Sequence, residues 1–214
     1  MRSLRRALGL LAFLLLLLVA ALFATTALRV SFAGTEAEMA AARDAAGAAG
    51  VPLSSWKTLV VAASGSVGAP ADEAWATLSR IEEWPSWSPS LHRGARFKGE
   101  PGFRVSGSFE QVLALGFPLG TVRSEAFVTR LVPGREVVWC SSDGGVTSCH
   151  VWRLAPVTPE RTFVVNAEVF HGPPVGLLAP FVQSRWSRLF QEGVSGLARA
   201  VEARRPAAPG GEAR

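Results

Sequence analysis

The sequence predicts an α+β domain in which a curved antiparallel sheet of about six or seven strands wraps around one long C-terminal helix. Residues 175–204 place apolar side chains at three- and four-residue steps, the spacing of one helical face. A helix of about 30 residues is about 45 Å long, so it needs a large apolar surface to lie against. Successive strand-like segments before it supply that surface, and strands joined without crossover helices pair antiparallel.

The first 29 residues predict a signal anchor with one transmembrane helix. Residues 7–28 carry no charge, and their length suits a single membrane crossing. Three arginines precede this segment and are expected to stay cytoplasmic, which would place the rest of the chain outside the cytoplasm. A cleaved signal peptide, and with it a secreted domain, is the alternative.

The remaining chain divides into three parts by composition. Residues 30–54 are rich in alanine and glycine and predict a tether that is helical in part. Residues 55–204 contain the strand and helix patterns of one folded domain, and residues 205–214 predict a disordered tail.

The charge distribution argues against nucleic acid as a partner. The net charge is +5, and four arginines, Arg2, Arg5, Arg6 and Arg29, flank the predicted anchor. The rest of the chain is therefore nearly neutral and has no dense basic stripe that would neutralise phosphates.

Strands and turns alternate regularly through the predicted domain. A helix follows Pro70, which suits a first helical position, and the segment from Trp84 to Pro89 contains two tryptophans and two prolines, which end the helix. Strands are predicted at residues 56–67, 95–98, 103–113, 121–132, 136–141, 147–154 and 162–170.

One hairpin can be assigned a register. Gly144 and Gly145 suit a two-residue turn, which pairs Glu136 with Arg153 and Cys140 with Cys149. Opposite charges then face each other, as do the only two cysteines of the chain. The same register places Trp139, His150 and Trp152 together on the opposite face from the cysteines.

The paired cysteines predict a Cys140–Cys149 disulfide, with two reduced cysteines as the alternative. A disulfide agrees with an exported domain, because disulfides persist in oxidising compartments. We expect no metal site, since two cysteines and a histidine on the other face do not supply four ligands.

Several polar side chains are candidates for a binding site. His150 lies either in the core or against a ligand, and Glu168 either faces solvent or lines a pocket. Arg185 is a surface charge or a partner for a ligand carboxylate. His92 is expected in solvent, and His171 near the end of the gap between sheet and helix.

No recognisable catalytic motif accompanies these candidates. The sequence contains no nucleophile elbow, zinc-protease motif, phosphate loop or dinucleotide fingerprint. We therefore assign no catalytic residue and no cofactor from the sequence.

Two stretches carry a family resemblance, residues 66–75 (SVGAPADEAW) and residues 81–89 (IEEWPSWSP). They resemble the SRPBCC superfamily, the START-like helix-grip group that includes polyketide cyclase/dehydrase and lipid transport proteins. Residues 150–152 (HVW) and 168–172 (EVFHG) are similar to late strands of that group, and the resemblance spans residues 59–201. It implies an apolar cavity between sheet and C-terminal helix, with Trp75, Trp139, His150, Trp152, Glu168 and Arg185 as pocket candidates.

These observations predict a membrane-tethered domain that binds a hydrophobic small molecule or lipid in an internal cavity. The first alternative is an enzyme of the cyclase/dehydrase type, with His150 or Glu168 as general base. The second is an envelope interaction module whose core is filled by its own side chains. The superfamily resemblance does not separate them, because one scaffold supports many activities.

Overall fold

The computed structural model describes residues 13–17, residue 19 and residues 34–205. Within this part, seven strands form one antiparallel sheet in the order β1-β7-β6-β5-β4-β3-β2. The predicted sheet is therefore confirmed. The strands are β1 Thr58–Val67, β2 His92–Lys98, β3 Ser108–Gly116, β4 Gly120–Val132, β5 Glu136–Asp143, β6 Val146–Thr158 and β7 Arg161–His171.

A long helix lies along the inner face of the sheet, as the C-terminal periodicity predicts. It begins two residues earlier than the apolar pattern suggests, because Pro173 and Pro174 occupy its first turn. The helices are α1 Glu36–Ala49, α2 Ala71–Leu78, α3 Trp84–Trp87 and α4 Pro173–Arg204, with a 3₁₀ turn at Ile81–Glu83. The helix-grip architecture is thus present, and its main core lies between α4, α2, α3 and the inner sheet face.

The hairpin between β5 and β6 has the register predicted from its turn. Glu136 pairs with Arg153, and Cys140 pairs with Cys149. Gly145 has a φ of 76°, which a residue with a side chain rarely adopts. Cys140 and Cys149 form a disulfide across the outer face of the sheet, with Cα atoms 4.1 Å apart.

Most of the segment predicted as a partly helical tether forms α1. Thr35 and Glu38 form a capping box at its start. Its alanines pack against the outer sheet face in a second core with Val60, Val138, Cys149, Val151, Val165, Ala167 and Val169. Small side chains allow this close approach, so an alanine-rich composition serves packing here rather than flexibility.

Charged side chains hold α1 in place at the edge of this second core. Asp44 pairs with Arg153 and lies 3.6 Å from Arg130. Arg130 and Arg153 also pair with Glu136, which is only 8% exposed. Burial lowers the pKa of Arg153, but its hydrogen bonds to Asp44 and Glu136 outweigh this and raise it.

We expect Ala45→Leu to destabilise the protein by about 2 kcal/mol, because a larger side chain does not fit between α1 and the sheet. Ala45 is fully buried in the second core. The control is Ala48→Leu on the exposed side of α1, which should change the free energy of unfolding by less than about 0.5 kcal/mol. Urea denaturation measures both, and equal effects would show that α1 is not packed on the sheet.

The predicted membrane anchor lies almost entirely outside the described residues. Residues 13–17 and 19 are helical, and their side chains are exposed. Among the described residues, no helix has both the length and the apolar composition needed to cross a bilayer. The anchor therefore stays a prediction, and residues 206–214 of the predicted tail are likewise not described.

Candidate functional site

Three aromatic and polar side chains form a row across the inner face of the sheet. His150 on β6 pairs with Trp139 on one side and with Glu168 on the other. The His150 ring stacks on Trp139, with ring centroids 4.6 Å apart, and on Phe190 of α4, 5.2 Å away. The imidazole is thus fixed between the sheet and the helix and is only 6% exposed.

Both ring nitrogens of His150 have polar partners. Nε2 donates to Oδ1 of Asn166 at 2.5 Å, since an amide oxygen can only accept. Nδ1 lies 3.0 Å from Oε2 of Glu168. Either an imidazolium donates to a carboxylate, or a carboxylic acid donates to the neutral ring. The pair holds one shared proton in both arrangements.

A cavity of about 280 Å³ opens beside this pair, between the sheet and the N-terminal half of α4. Its apolar lining comprises Leu59, Leu113, Leu115, Leu119, Val122, Phe170, Pro174, Val175, Leu178, Val182 and Trp186. The volume lies just below the range for small-molecule sites, which starts at about 300 Å³, so the cavity suits a small ligand.

Few polar groups border the cavity. Glu168 is 9% exposed and reaches it from β7, and Gln111 is 6% exposed and reaches it from β3. The other polar lining residues are Ser124, Ser141, Asp143 and Ser148. An adjoining space of about 20 Å³, which has room for one water molecule, connects Glu168 to His150 and His92.

His92 is buried, so the prediction that it lies in solvent is wrong. It is the first residue of β2, separated by four residues from the last residue of α3, and its ring centroid lies 4.8 Å from that of Trp84. Its Nδ1 lies 3.2 Å from the Ser88 hydroxyl. Burial, and to a lesser degree the charge of His150, lower the pKa of His92 to about 3. The imidazole is therefore neutral at physiological pH.

We expect His92 to make the fold sensitive to acid. Its pKa is about 3 when folded and 6.5 in the unfolded chain. Between these two pH values the unfolded chain binds a proton at His92 that the folded protein does not. The contribution of His92 to the free energy of unfolding is therefore complete above pH 6.5 and decreases as the pH falls toward 3. Lowering the pH from about 7.5 to about 5 should cost about 2 kcal/mol through this residue.

Urea denaturation of His92→Gln at both pH values checks this. Over the same pH interval, the free energy of unfolding of the variant should fall by about 2 kcal/mol less than that of the natural protein. Ser88→Ala removes the hydrogen-bond partner but keeps the imidazole, so it should retain the pH dependence. An unchanged pH dependence in His92→Gln would contradict the assignment.

The structure brings some of the predicted pocket residues together and separates others. Trp139 and Trp152 share the inner face with His150, but they fill the core beside the cavity rather than line it. Trp75 packs against Phe103 and lies away from the cavity. Arg185 is exposed, and its Nε donates to the carbonyl oxygen of Leu115 at 3.1 Å.

The remaining histidine has a local structural partner. Nδ1 of His171 lies 2.8 Å from the hydroxyl of Thr58, its neighbour in the register of β1 and β7. The Thr58 hydroxyl also donates to the carbonyl oxygen of Pro52. His171 thus helps to join β7 to the segment between α1 and β1.

Sequence reasoning missed Gln111 and Phe190. Gln111 lies between Phe109 and Leu113 in an alternating strand, and this alternation places it on the apolar face. That signal was present in the sequence. The position of Phe190 against His150 depends on how α4 is rotated over the sheet, which the helical spacing alone does not determine.

No metal site is apparent in the described part of the chain, where no three histidine, cysteine, aspartate or glutamate side chains cluster suitably. The side chains of the site can bury apolar surface, form hydrogen bonds through Gln111 and Glu168, and hold a proton between Glu168 and His150.

The curved antiparallel sheet packs against the long helix α4, and an apolar cavity lies between them. This arrangement is a helix-grip, ligand-binding type of architecture. The family model described as "Polyketide cyclase / dehydrase and lipid transport" matches residues 58–202. The chain belongs to this family, which confirms the superfamily resemblance seen in the sequence. No curated protein matches the sequence.

Solved structures of low sequence identity share the fold. The Zhui aromatase/cyclase from Streptomyces sp. R1128 is 19% identical, with a TM-score of 0.55 over 72% of this chain and 99% of its own. TTHA0849 from Thermus thermophilus is 17% identical, with a TM-score of 0.56 over 67% and 97%. Norcoclaurine synthase from Thalictrum flavum, in complex with dopamine and hydroxybenzaldehyde, is 14% identical, with a TM-score of 0.53 over 70% and 90%.

Proposed function

We propose that this domain binds a hydrophobic small molecule or lipid in the cavity between the sheet and α4. The observation that carries the proposal is the cavity of about 280 Å³, with its mainly apolar lining and few polar groups. Apolar ligand surface gains about 25 cal/mol for each Å² removed from water. Glu168 and Gln111 would orient the ligand through its polar end.

We further propose that the domain is tethered to a membrane and faces an extracytoplasmic compartment. The uncharged segment at residues 7–28 and the Cys140–Cys149 disulfide support this. Exposed apolar side chains also lie within two residues of cavity-lining residues in the chain, and these are Phe117, Leu177 and Phe181. Such side chains are suited to contact with lipid while a ligand enters or leaves.

Fluorescence titration of residues 34–205 with the neutral apolar dye N-phenyl-naphthylamine tests the binding proposal. We expect a saturable, blue-shifted signal at one equivalent of dye, because the dye would leave water for the cavity. Competition by an unlabelled apolar molecule should reverse it. A signal that only rises linearly with dye would contradict a defined binding site.

A cyclase/dehydrase-type enzyme is the second candidate function. It is favoured by the buried pair of His150 and Glu168, which holds a proton at the edge of the cavity. The Zhui aromatase/cyclase has the same fold, although fold alone does not establish activity. The remaining alternative is an interaction module whose core is filled by its own side chains. The observed cavity of about 280 Å³ disfavours it.

The substitution His150→Gln separates binding from catalysis. A binding protein should keep its ligand with modestly weakened affinity, since the cavity and its apolar lining remain. An enzyme should lose turnover by about 100-fold or more, because a glutamine amide cannot exchange the proton. The measurement is the affinity for the ligand that co-purifies with the chain, together with any conversion of that ligand over time.

A further inference from the structure

Two carboxylates border the cavity, and within the described residues no lysine or arginine lines it. Glu168 reaches the cavity on the side of His150, and Asp143 borders it from the β5–β6 hairpin. A ligand can therefore place its polar end toward the core or toward the rim. It meets an acidic side chain in both orientations.

The basic groups near the cavity either contact other groups or are already paired with one of its carboxylates. Arg185 on α4 does not line the cavity and donates to the carbonyl oxygen of Leu115. Arg123 on β4 is the sequence neighbour of two lining residues, but successive side chains of a strand face opposite sides, and its guanidinium lies 3.9 Å from Glu110. His150 already shares its proton with Glu168.

Two groups remain free to bind the polar end of a ligand. Oε2 of Glu168 is taken by His150, whereas Oε1 has no hydrogen-bond partner among the described residues. The side chain of Gln111, which is only 6% exposed, likewise has no partner among them although it borders the cavity. Oε1 of Glu168 can only accept and therefore favours a ligand that donates a hydrogen bond, whereas the Gln111 amide can accept from the same group or donate to it.

We propose that the ligand is an amphiphile with a neutral or cationic hydrogen-bond donor, an alcohol or an amine, and that the cavity discriminates against fatty-acid carboxylates. This inference rests on the proposed function, because it concerns the same cavity. A carboxylate placed toward the core would lose its hydration and would meet Oε1 of Glu168, which can only accept a hydrogen bond whichever side of the His150–Glu168 pair holds the proton. Placed toward the rim, it would lie beside Asp143. A hydroxyl or an ammonium group instead donates to the free Oε1 of Glu168.

Isothermal titration calorimetry with three probes of equal chain length tests this. Decanol, decylamine and decanoic acid are titrated into the full chain held in lipid nanodiscs, with empty nanodiscs correcting for partition into lipid. At neutral pH the acid is ionised and the amine is protonated. We expect decanol and decylamine to bind at least about tenfold more tightly than decanoic acid.

The outcomes separate this inference from the proposed function. If decanoic acid binds as tightly as decanol, the inference fails and the binding function stands. If none of the three probes binds, both fail. The order of the three affinities on the natural protein shows whether the cavity discriminates against carboxylates, even if a variant does not fold.

Two variants assign the discrimination to a carboxylate. Glu168→Gln keeps the side-chain size and should narrow the gap between decanol and decanoic acid to about threefold or less if the polar end lies toward the core. Asp143→Asn should have that effect instead if the polar end lies at the rim. If the difference in affinity between decanol and decanoic acid is unchanged in both variants and in the double variant, the assignment of the discrimination to Glu168 or Asp143 is overturned.

Discussion

Replacing Gly196 by alanine is expected to destabilise the protein by about 3 kcal/mol, because α4 and α3 meet backbone to backbone at this residue. A Cβ at Gly196 would overlap the carbonyl oxygen of Trp87. That oxygen belongs to the main chain, so it cannot move aside by rotation of a side chain. The clash should outweigh the gain of about 1 kcal/mol that alanine gives over glycine in a helix.

Gly193→Ala on the same helix is the matched control. The nearest atom to a Cβ there is Nδ2 of Asn166 at 3.5 Å, an ordinary contact. The helix-propensity gain should therefore remain, and stability should be unchanged or higher by up to about 1 kcal/mol. Urea denaturation measures both variants, and equal stabilities would mean that α4 does not approach α3 as closely as described.

Replacing Val122 by tryptophan should strongly weaken ligand binding with little effect on stability. Val122 lines the cavity from β4, opposite Leu113 of β3. An indole at this position would occupy the space that the ligand needs. We expect the affinity for N-phenyl-naphthylamine to fall by about 100-fold, which corresponds to about 2.7 kcal/mol.

Val157→Trp introduces the same side chain outside the cavity. Val157 is 53% exposed near the end of β6 and does not line the cavity. Dye affinity should be unchanged in this variant, and thermal unfolding should show that both variants are folded. Retained binding in Val122→Trp would mean that the dye occupies another site.

The hairpin register was predictable because its signals are local. A two-glycine turn fixes which residues pair, and the charged pair of Glu136 and Arg153 agrees with it. Strand β3 was predicted to begin at Phe103 but begins at Ser108. The backbone turns at Ser106, where φ is 65°, and the dipeptide Ser106-Gly107 is a turn signal that the strand assignment passed over.

The candidate site was predictable only in part. The register placed His150 and Trp139 on one face, whereas the sequence left open whether Glu168 faces solvent or lines a pocket. Which of these side chains border empty space depends on the volumes of side chains from distant segments. Phe190 of α4 closes the space over His150, so the cavity lies farther along the sheet, toward Phe170 and Trp186.

The outer layer was not predictable from composition. An alanine-rich segment with few charges is typical of both a flexible tether and a helix that packs closely. The ion pairs of Asp44 with Arg130 and Arg153 show a packed helix rather than a flexible tether, but they join residues that are far apart in the sequence. Such contacts become visible only once the sheet is assembled.

Native mass spectrometry of the full chain purified from its own host, before and after extraction with organic solvent, tests the central claim most directly. The account predicts an additional mass that corresponds to one apolar molecule per chain and that extraction removes. It also predicts a protein mass two hydrogens below that of the reduced chain, from the Cys140–Cys149 disulfide. A chain without bound molecule, which also fails to take up an apolar ligand when one is supplied, would contradict the binding function.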